Sequence, residues 1–211
     1  MNRLRSPRSP RQKFVRTSSD SFPHRKLPRS INPVATLTEY FIDNPNSYKY
    51  FISNYNSKFN HVVKIVFGQY FNQSLNDNIP EGIEEIVFGK YYNKYINEGI
   101  IPLSVTKITF GHEYNQPINR ENLPPQLSTL EVGDKFNQSL DDLPKKIKYL
   151  ILGDDFNQPL KTLPKKIISI IFGKNFNSKV NTRDSLYLKL VTIPQNYKYE
   201  FPPDICIIIK N

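Results

Sequence analysis

The sequence is poor in the residues that build disulfides and metal sites. It has one cysteine, Cys206, three histidines and no tryptophan in 211 residues. One cysteine excludes an intramolecular disulfide, and three scattered histidines offer no cluster of metal ligands. No apolar run approaches the ~18 residues that a bilayer-spanning helix needs, and the N-terminus lacks the apolar stretch of a secretory signal. We therefore expect an intracellular protein in a reducing compartment, without a cofactor or a metal.

Acidic residues are nearly absent from the first 30 positions. This segment has nine Lys/Arg and a single acid, Asp20, so its net charge is +8, whereas the rest of the chain has 20 basic and 18 acidic side chains. It contains the triplet Arg-Ser-Pro twice and few apolar residues. Such a composition does not offset an ordering entropy of about 1–2 kcal/mol per residue, so residues 1–31 are predicted to be a disordered basic tail.

The basic tail is open to several interpretations. Ser6 and Ser9 each precede a proline and are candidate phosphorylation sites, because a phosphate would cancel much of the local charge. An unmodified tail is the alternative. Transit peptides share this Arg-rich, acid-poor composition, but four prolines break the amphipathic helix that they need. The tail could instead bind nucleic acid or another acidic partner, or serve as a nuclear-import or tethering signal.

Glycine is scarce but regular. Six of the eight glycines recur every 20–22 residues, an aromatic–asparagine pair begins three residues after each of them, and proline recurs with the same period. Three features with one period predict an internal repeat, in which glycine would end a strand by permitting a bend. The glycines are Gly68, Gly89, Gly111, Gly133, Gly153 and Gly173, and the prolines are Pro80, Pro102, Pro124, Pro144 and Pro164.

The repeat is too short to fold alone. Residues 123–140 show it most clearly, as L-P-x-x-L-x-x-L-x-L-G-x-x-F-N-Q-x-L. Stacked copies bury their apolar side chains against each other in one continuous column. The L-x-L step predicts a short strand, and strands of successive copies would pair in parallel about 4.8 Å apart. The predicted fold class is therefore a β-rich solenoid with one parallel sheet.

The recurrent asparagine is predicted to be structural rather than ligand-binding. An asparagine side chain can bond backbone groups of its own turn and of the next repeat, so stacked asparagines would form a ladder along the solenoid. We expect this role for Asn72, Asn93, Asn115, Asn137, Asn157 and Asn177.

The sequence F-N-Q-[P/S]-[L/I], followed by L-P and L-x-x-L-x-L-G, resembles FNIP repeats over residues 59–181. Tyr92 and Tyr114 depart from the motif in place of Phe, and Lys94 and Ser178 in place of Gln. The family is leucine-rich-repeat-like and is known from social amoebae and from giant viruses that infect amoebae. The resemblance implies an interaction protein, with an N-terminal F-box in some members.

Both ends of the repeat region are predicted to be closed. Residues 32–58 are too short for the roughly three helices of an F-box and are predicted to form a helical cap, although an F-box remnant stays an alternative. One helix would place Tyr40 and Phe41 on a face, and a second would align Tyr48, Phe51 and Tyr55. Residues 182–211 are predicted to be degenerate repeats and a cap, with the preceding loop or a partner covering the final isoleucine-rich strand.

No catalytic constellation stands out, so a non-enzymatic role is predicted. The sequence has no glycine-rich phosphate loop and no Gly-x-Ser-x-Gly elbow, and none of the three histidines has an obvious carboxylate partner.

The outward positions of the strands are the candidate partner-binding surface. Residues in register on that side would form an apolar stripe, and such patches often mark partner sites. The predicted function is a protein-interaction scaffold that works as a monomer, with an unknown protein partner, from the host if the chain is viral, in the host cytoplasm or nucleus. Nucleic-acid or acidic-partner binding through the tail is the alternative. The candidate residues are Val66, Val87, Thr109, Tyr149, Ile151 and Ile171.

Overall fold

One parallel sheet runs through the molecule. The computed structural model describes residues 38–210, and nine strands follow one another across the sheet in chain order, each parallel to the next. The predicted basic tail, with Ser6 and Ser9, and the first residues of the predicted cap lie outside the described residues. The strands are β1 (Glu39–Ile42), β2 (Lys64–Phe67), β3 (Glu85–Val87), β4 (Lys107–Thr109), β5 (Thr129–Glu131), β6 (Tyr149–Ile151), β7 (Ser169–Ile171), β8 (Leu190–Pro194) and β9 (Cys206–Lys210).

The sheet confirms the predicted solenoid. Each repeat contributes one short strand and a loop that returns to the start of the next strand, and we call each such turn of the chain a coil. Side chains alternate across the strands, so Ile65, Ile86 and Ile108 stand in register on the inner side, where all three are fully buried. The core is one continuous column along the sheet, because each coil buries its apolar surface only against its neighbours.

The recurrent glycines mark the places where successive coils touch backbone to backbone. A Cβ on Gly133 would lie 2.5 Å from the carbonyl carbon of Gly111 and 2.7 Å from Cα of His112, far inside the roughly 3.5–4.0 Å at which carbon atoms pack. Only Gly82 and Gly99 have a positive φ among the described glycines. The repeat glycine is therefore required by the close approach of two coils, and not by the special bend that the sequence suggested.

The aromatic residue of each aromatic–asparagine pair stacks on its counterparts in neighbouring coils. Ring centroids are 6.1 Å apart for Tyr92 and Tyr114, and 6.3 Å apart for Tyr114 and Phe136, with nearly parallel planes. The stack continues through Phe156 and Phe176. The hydroxyls of Tyr92 and Tyr114 are buried and have no hydrogen-bond partner in the described part of the chain. Burial raises the pKa of both hydroxyls, so they stay neutral.

We expect Tyr114→Phe to stabilise the fold. The change keeps the ring in its stack and removes a buried hydroxyl that has no partner. The free energy of unfolding should rise by about 1 kcal/mol, as measured by urea unfolding followed by circular dichroism. Tyr70→Phe is the matched control, because that ring is 73% exposed, and stability should stay within about 0.5 kcal/mol. A loss of stability in Tyr114→Phe would contradict the prediction.

The first of the two predicted N-terminal helices is wrong in the part that the structure describes. Glu39–Ile42 is the strand β1, which pairs in parallel with β2, although Tyr40 and Phe41 were expected on one face of a helix. Over only four residues, the pattern of apolar side chains does not distinguish a strand from one face of a helix. Pairing with β2 decides, because the two strands stand in parallel register from Glu39 to Ile42, the N–H of Gly68 donates to the carbonyl of Ile42 at 2.8 Å, and Ile42 is fully buried. The sheet therefore begins before residue 59.

The second predicted helix is present. Helix α1 (Pro45–Asn54) begins at the N-cap Asn44, whose side chain accepts from the N–H three residues on at 3.0 Å, and a π-helical turn (Tyr55–Phe59) follows it. The rings of Phe51 and Phe59 pack on Tyr40 with centroids 4.6 and 4.8 Å away. This aromatic cluster closes the core beside β1. Neither described helix has the length and apolar character to cross a membrane.

Two further coils extend the sheet after the regular repeats. Tyr197 stacks on Phe176 at 5.5 Å and Phe201 on Tyr197 at 5.6 Å, so the loop between β8 and β9 prolongs the aromatic stack. Burial raises the pKa of Tyr197 to about 12. The loop was expected as one possible cover for the final strand, and that expectation is wrong: all five residues of β9 are exposed, since Tyr197 and Phe201 of the loop pack against the core instead.

Candidate functional site

The six predicted asparagines form a ladder between coils, which we call the Asn ladder. The side-chain oxygen of Asn72 accepts from the backbone N–H of Asn93 at 3.0 Å, and that of Asn93 accepts from the N–H of Asn115 at 3.0 Å. The same bond recurs at 2.8–3.0 Å up to Asn177, whose oxygen accepts from the N–H of Lys198 at 3.2 Å. These oxygens are therefore engaged in joining successive coils.

The glutamine of the F-N-Q motif has a role that sequence reasoning missed. Gln116 donates its amide to the side-chain oxygen of Asn93 at 3.0 Å, and Gln138 donates to Asn115 at 3.0 Å. Each of these asparagine oxygens thus accepts two bonds from the next coil. Where Ser178 replaces the glutamine, its hydroxyl bonds the backbone carbonyl of the asparagine one coil back at 2.6 Å. The adjacency of Asn and Gln in four of the six repeats was the available signal.

The outer side of the sheet, which we call the strand face, carries all six residues predicted to bind a partner. Helix α1 packs on the inner side of the sheet, where Phe51 contacts Tyr40 of β1 and Tyr48 contacts Phe67 of β2, so no described helix covers the strand face. Two columns of side chains run along it in register. The first contains Glu39, Lys64, Glu85, Lys107, Thr129, Tyr149, Ser169 and Leu190, and the second contains Phe41, Val66, Val87, Thr109, Glu131, Ile151 and Ile171.

The N-terminal half of the strand face is dominated by a chain of alternating charges. Lys64 lies between Glu39 at 2.8 Å and Glu85 at 3.9 Å, and Glu85 also binds Lys107 at 2.8 Å. The hydrogen bond that the Lys64 ammonium group donates to Glu39 raises the pKa of this lysine. These pairs are partly exposed and each contributes about 0–1 kcal/mol to stability. They surround the predicted valines with charge, so this half is a mixed surface.

The predicted apolar stripe is interrupted in the middle. Thr109 was counted among the partner-binding residues, and its hydroxyl donates to a carboxylate oxygen of Glu131 in the next strand at 3.3 Å. This polar pair separates Val87 from Ile151 in the same column. The strand face therefore has a charged N-terminal half and an apolar C-terminal half rather than one continuous stripe.

The C-terminal half of the strand face is an apolar patch. Tyr149, on β6, is 44% exposed, and Ile151 and Ile171 are half-buried beside it. Leu190 extends the patch to β8, where it stands in register with Ser169 and is also half-buried. Sequence reasoning missed Leu190 because the irregular loop before β8 hides its register. We define Tyr149, Ile151, Ile171 and Leu190 as the apolar patch.

His112 has carboxylate partners that the sequence did not reveal. Its Nδ1 lies 2.8 Å from Glu113 and its Nε2 lies 3.4 Å from Asp134 in the next coil. The expectation that no histidine has such a partner is therefore wrong, because stacking brings residues 22 positions apart side by side. Within residues 38–210, no group of three or more His, Cys, Asp or Glu side chains could hold a metal ion. The arrangement links two coils.

A groove between two proline turns is a second surface of interest. It has a volume of about 520 Å³ and is lined by apolar side chains such as Leu143 and Leu163. Lys145, Lys146 and Lys165 also line it. The body of the chain has nearly balanced charge, yet successive coils repeat the Pro-Lys-Lys turn and so place these lysines together. Arg120, Asp141 and Asp142 line the groove as well, so its lining has four basic and two acidic side chains and would favour an acidic group over a basic one.

The chain is similar to known repeat proteins. The model of the FNIP repeat matches residues 71–113, 92–135, 114–155, 136–175 and 156–186. Among solved structures, the chain is similar to CroV588, a giant-virus protein described as a novel circular LRR structure, at 27% identity and a TM-score of 0.56. The similarity covers 71% of this chain but only 27% of CroV588. No curated protein matches the chain significantly. Because the five overlapping matches extend over more than half of its length, the chain belongs to the FNIP repeat family.

Proposed function

We propose that the chain is a non-enzymatic scaffold that binds a protein partner through the strand face, centred on the apolar patch. One observation carries this proposal: Ile151 and Ile171 stand in register on neighbouring strands, with Tyr149 on the same side of β6, on a sheet surface that no described helix covers. Apolar side chains grouped on an open surface favour a partner that removes them from water. The partner is an unknown protein, from the host if the chain is viral, in the host cytoplasm or nucleus.

The remainder of the strand face supports selectivity rather than affinity. Glu39, Lys64, Glu85 and Lys107 alternate in charge and remain partly exposed. Such side chains steer a partner and penalise a wrong orientation more than they add to binding. A partner would therefore place apolar groups over β6–β8 and a polar segment over β1–β4. The alternative function, binding of nucleic acid or an acidic partner through the basic tail, concerns residues outside the described part of the chain.

The double substitution Ile151→Ser and Ile171→Ser should weaken partner binding by about tenfold or more, because each isoleucine contributes on the order of 1 kcal/mol when a partner buries it. The full chain would serve as bait in cell extract to identify the partner, which would then be titrated against each purified variant. Both isoleucines are half-buried on the outer side of three-residue strands, so the fold should survive, as circular dichroism can verify.

Val66→Ser with Val87→Ser is the matched control. These valines occupy the same column and are also half-buried, but they lie on β2 and β3 in the charged half of the strand face. We expect this control to reduce affinity by less than about threefold, since rim positions contribute little. Full binding by a folded Ile151/Ile171 variant would reject the apolar patch as the partner site.

A further inference from the structure

Within the described residues, each end of the sheet leaves the edge of one strand open. At one end, β9 pairs with β8 alone among the described strands, and its three consecutive isoleucines, Ile207, Ile208 and Ile209, are 38%, 47% and 58% exposed. An apolar edge strand with unpaired backbone groups is a template for adding another strand. Proteins usually protect such an edge with charge, proline or a covering element, and the described residues place only Lys210 at the end of this one.

The opposite edge of the sheet has a matching surface. β1 pairs with β2 alone among the described strands, and Phe41 on its outer side is 59% exposed. Asp43, directly after β1, is exposed as well and forms no salt bridge within residues 38–210. The helix α1 begins after Asp43 and covers the inner side of the coil through Tyr40.

Continuing the register of the sheet brings these two edges into complementary contact. Each coil adds one parallel strand, and the columns run from β1 to β9 without a break. If β1 of a second copy followed β9 in the same register, Ile208 would stand beside Phe41 on the outer side, and Ile209 beside Ile42 on the inner side. Lys210 would stand beside Asp43. Lys210 has no salt bridge in the described part of the chain, where the nearby Asp154 is already paired with Lys174.

We propose that β9 of one copy of this chain adds in parallel to β1 of a second copy, so that the solenoid continues head to tail. The contact satisfies the backbone groups of both edges, buries the isoleucines and Phe41, and pairs Lys210 with Asp43. It is heterologous, so it continues into longer assemblies unless the copies close into a ring. It leaves the apolar patch on β6–β8 open and therefore does not depend on the function proposed above.

Charge exchange tests this assembly in the full chain. Sedimentation velocity over a wide concentration range should show the wild type growing beyond a dimer. Lys210→Asp or Asp43→Lys alone should weaken the association by about threefold to fivefold, as expected for one partly exposed ion pair. The double variant Lys210→Asp with Asp43→Lys should restore it. A monomer at every concentration, or a double variant weaker than both single ones, would overturn the proposal.

Crosslinking gives an independent check of the register. In the proposed contact, Cys206 stands beside Glu39 of the next copy, and neighbouring parallel strands lie about 4.8 Å apart, within disulfide range. Glu39→Cys should therefore give a ladder of covalent oligomers under mild oxidation. Thr106→Cys is the control, because this exposed residue lies between the ends of the sheet and should give no such ladder. Dimers alone from Glu39→Cys, as in an antiparallel β9–β9 pairing through Cys206, would overturn the proposal.

Discussion

Gly133→Ala should destabilise the solenoid by about 4 kcal/mol or more, which is the range of severe overpacking and backbone disruption. The new methyl group would lie 2.5 Å from the carbonyl carbon of Gly111 and closer still to its oxygen. Both are backbone atoms of the preceding coil, so no side-chain rotation can relieve the clash. The two coils must separate, which also weakens the strand pairing and the aromatic stacking between them. Urea unfolding followed by circular dichroism would measure the loss.

Gly99→Ala is the matched control for the glycine prediction. A Cβ on Gly99 meets no atom within 4 Å, but its φ of +78° is unfavourable for alanine. We therefore expect a loss of about 1–2 kcal/mol from backbone strain alone. If the two alanine variants lose the same stability, close approach between coils is not what requires glycine at position 133.

Asn93→Ala should cost about 2–3 kcal/mol, because it leaves two donors without their acceptor. The Asn93 oxygen accepts from the backbone N–H of Asn115 and from the amide of Gln116, both at 3.0 Å and partly buried. The alanine variant keeps the N–H that donates to Asn72, so the change removes the link to the following coil only. Urea unfolding measures the total loss, and hydrogen exchange by NMR should show faster exchange at the Asn115 amide.

Two variants isolate the acceptor role of Asn93. Asn93→Asp keeps a side-chain oxygen in place and should lose less than about 1 kcal/mol. Asn97→Ala removes an exposed asparagine from the same coil, outside the Asn ladder, and should stay within about 0.5 kcal/mol of the wild type. Equal losses in Asn93→Ala and Asn97→Ala would sink the idea that the Asn ladder couples the coils.

Both predictions act on the contact between neighbouring coils, which is where a solenoid holds its stability. Its free energy is approximately a sum of terms for each coil and for each interface between adjacent coils. Gly133 and Asn93 each serve one such interface. Cutting one interface should therefore reduce the cooperativity of unfolding as well as its midpoint, and a lower denaturant m-value would report this.

The period of the repeat made most of the fold predictable from sequence. Every regular coil has equivalents of Leu130, Gly133 and Phe136. Each of these positions has one structural role, which the stacking of coils requires. A repeated unit meets the same neighbours each time, so the alternation of a three-residue strand is enough to assign its inner side. The Asn ladder was predictable for the same reason, because a short amide at a fixed place in every coil can reach only the next coil.

For the candidate site, the sequence predicted which positions face outward but not which side chains contact each other there. Sequence alignment of the repeats placed Ile151 and Ile171 on the outer side, but it could not show that Thr109 bonds Glu131 and divides the face. Leu190 was missed because the irregular loop before β8 hides its register, and Asp134 was missed as a partner of His112 because it lies in the adjacent coil. Contacts of this kind depend on how far each side chain extends towards the neighbouring strand. The spacing of residues along the chain does not reveal that distance.

The sequence by itself determined the repeating coil. A short apolar unit is buried only between similar neighbouring coils, and glycine, asparagine and an aromatic residue recur with the same period along the chain. Only the tertiary structure decided what happens where the repetition fades. Tyr40 lies in a strand because β2 offers it a partner, although its local pattern fits a helix equally well. β9 stays exposed because Tyr197 and Phe201 join the core instead of covering it. At both ends of the sheet, contacts between residues distant in sequence decide the local structure, and local propensity does not.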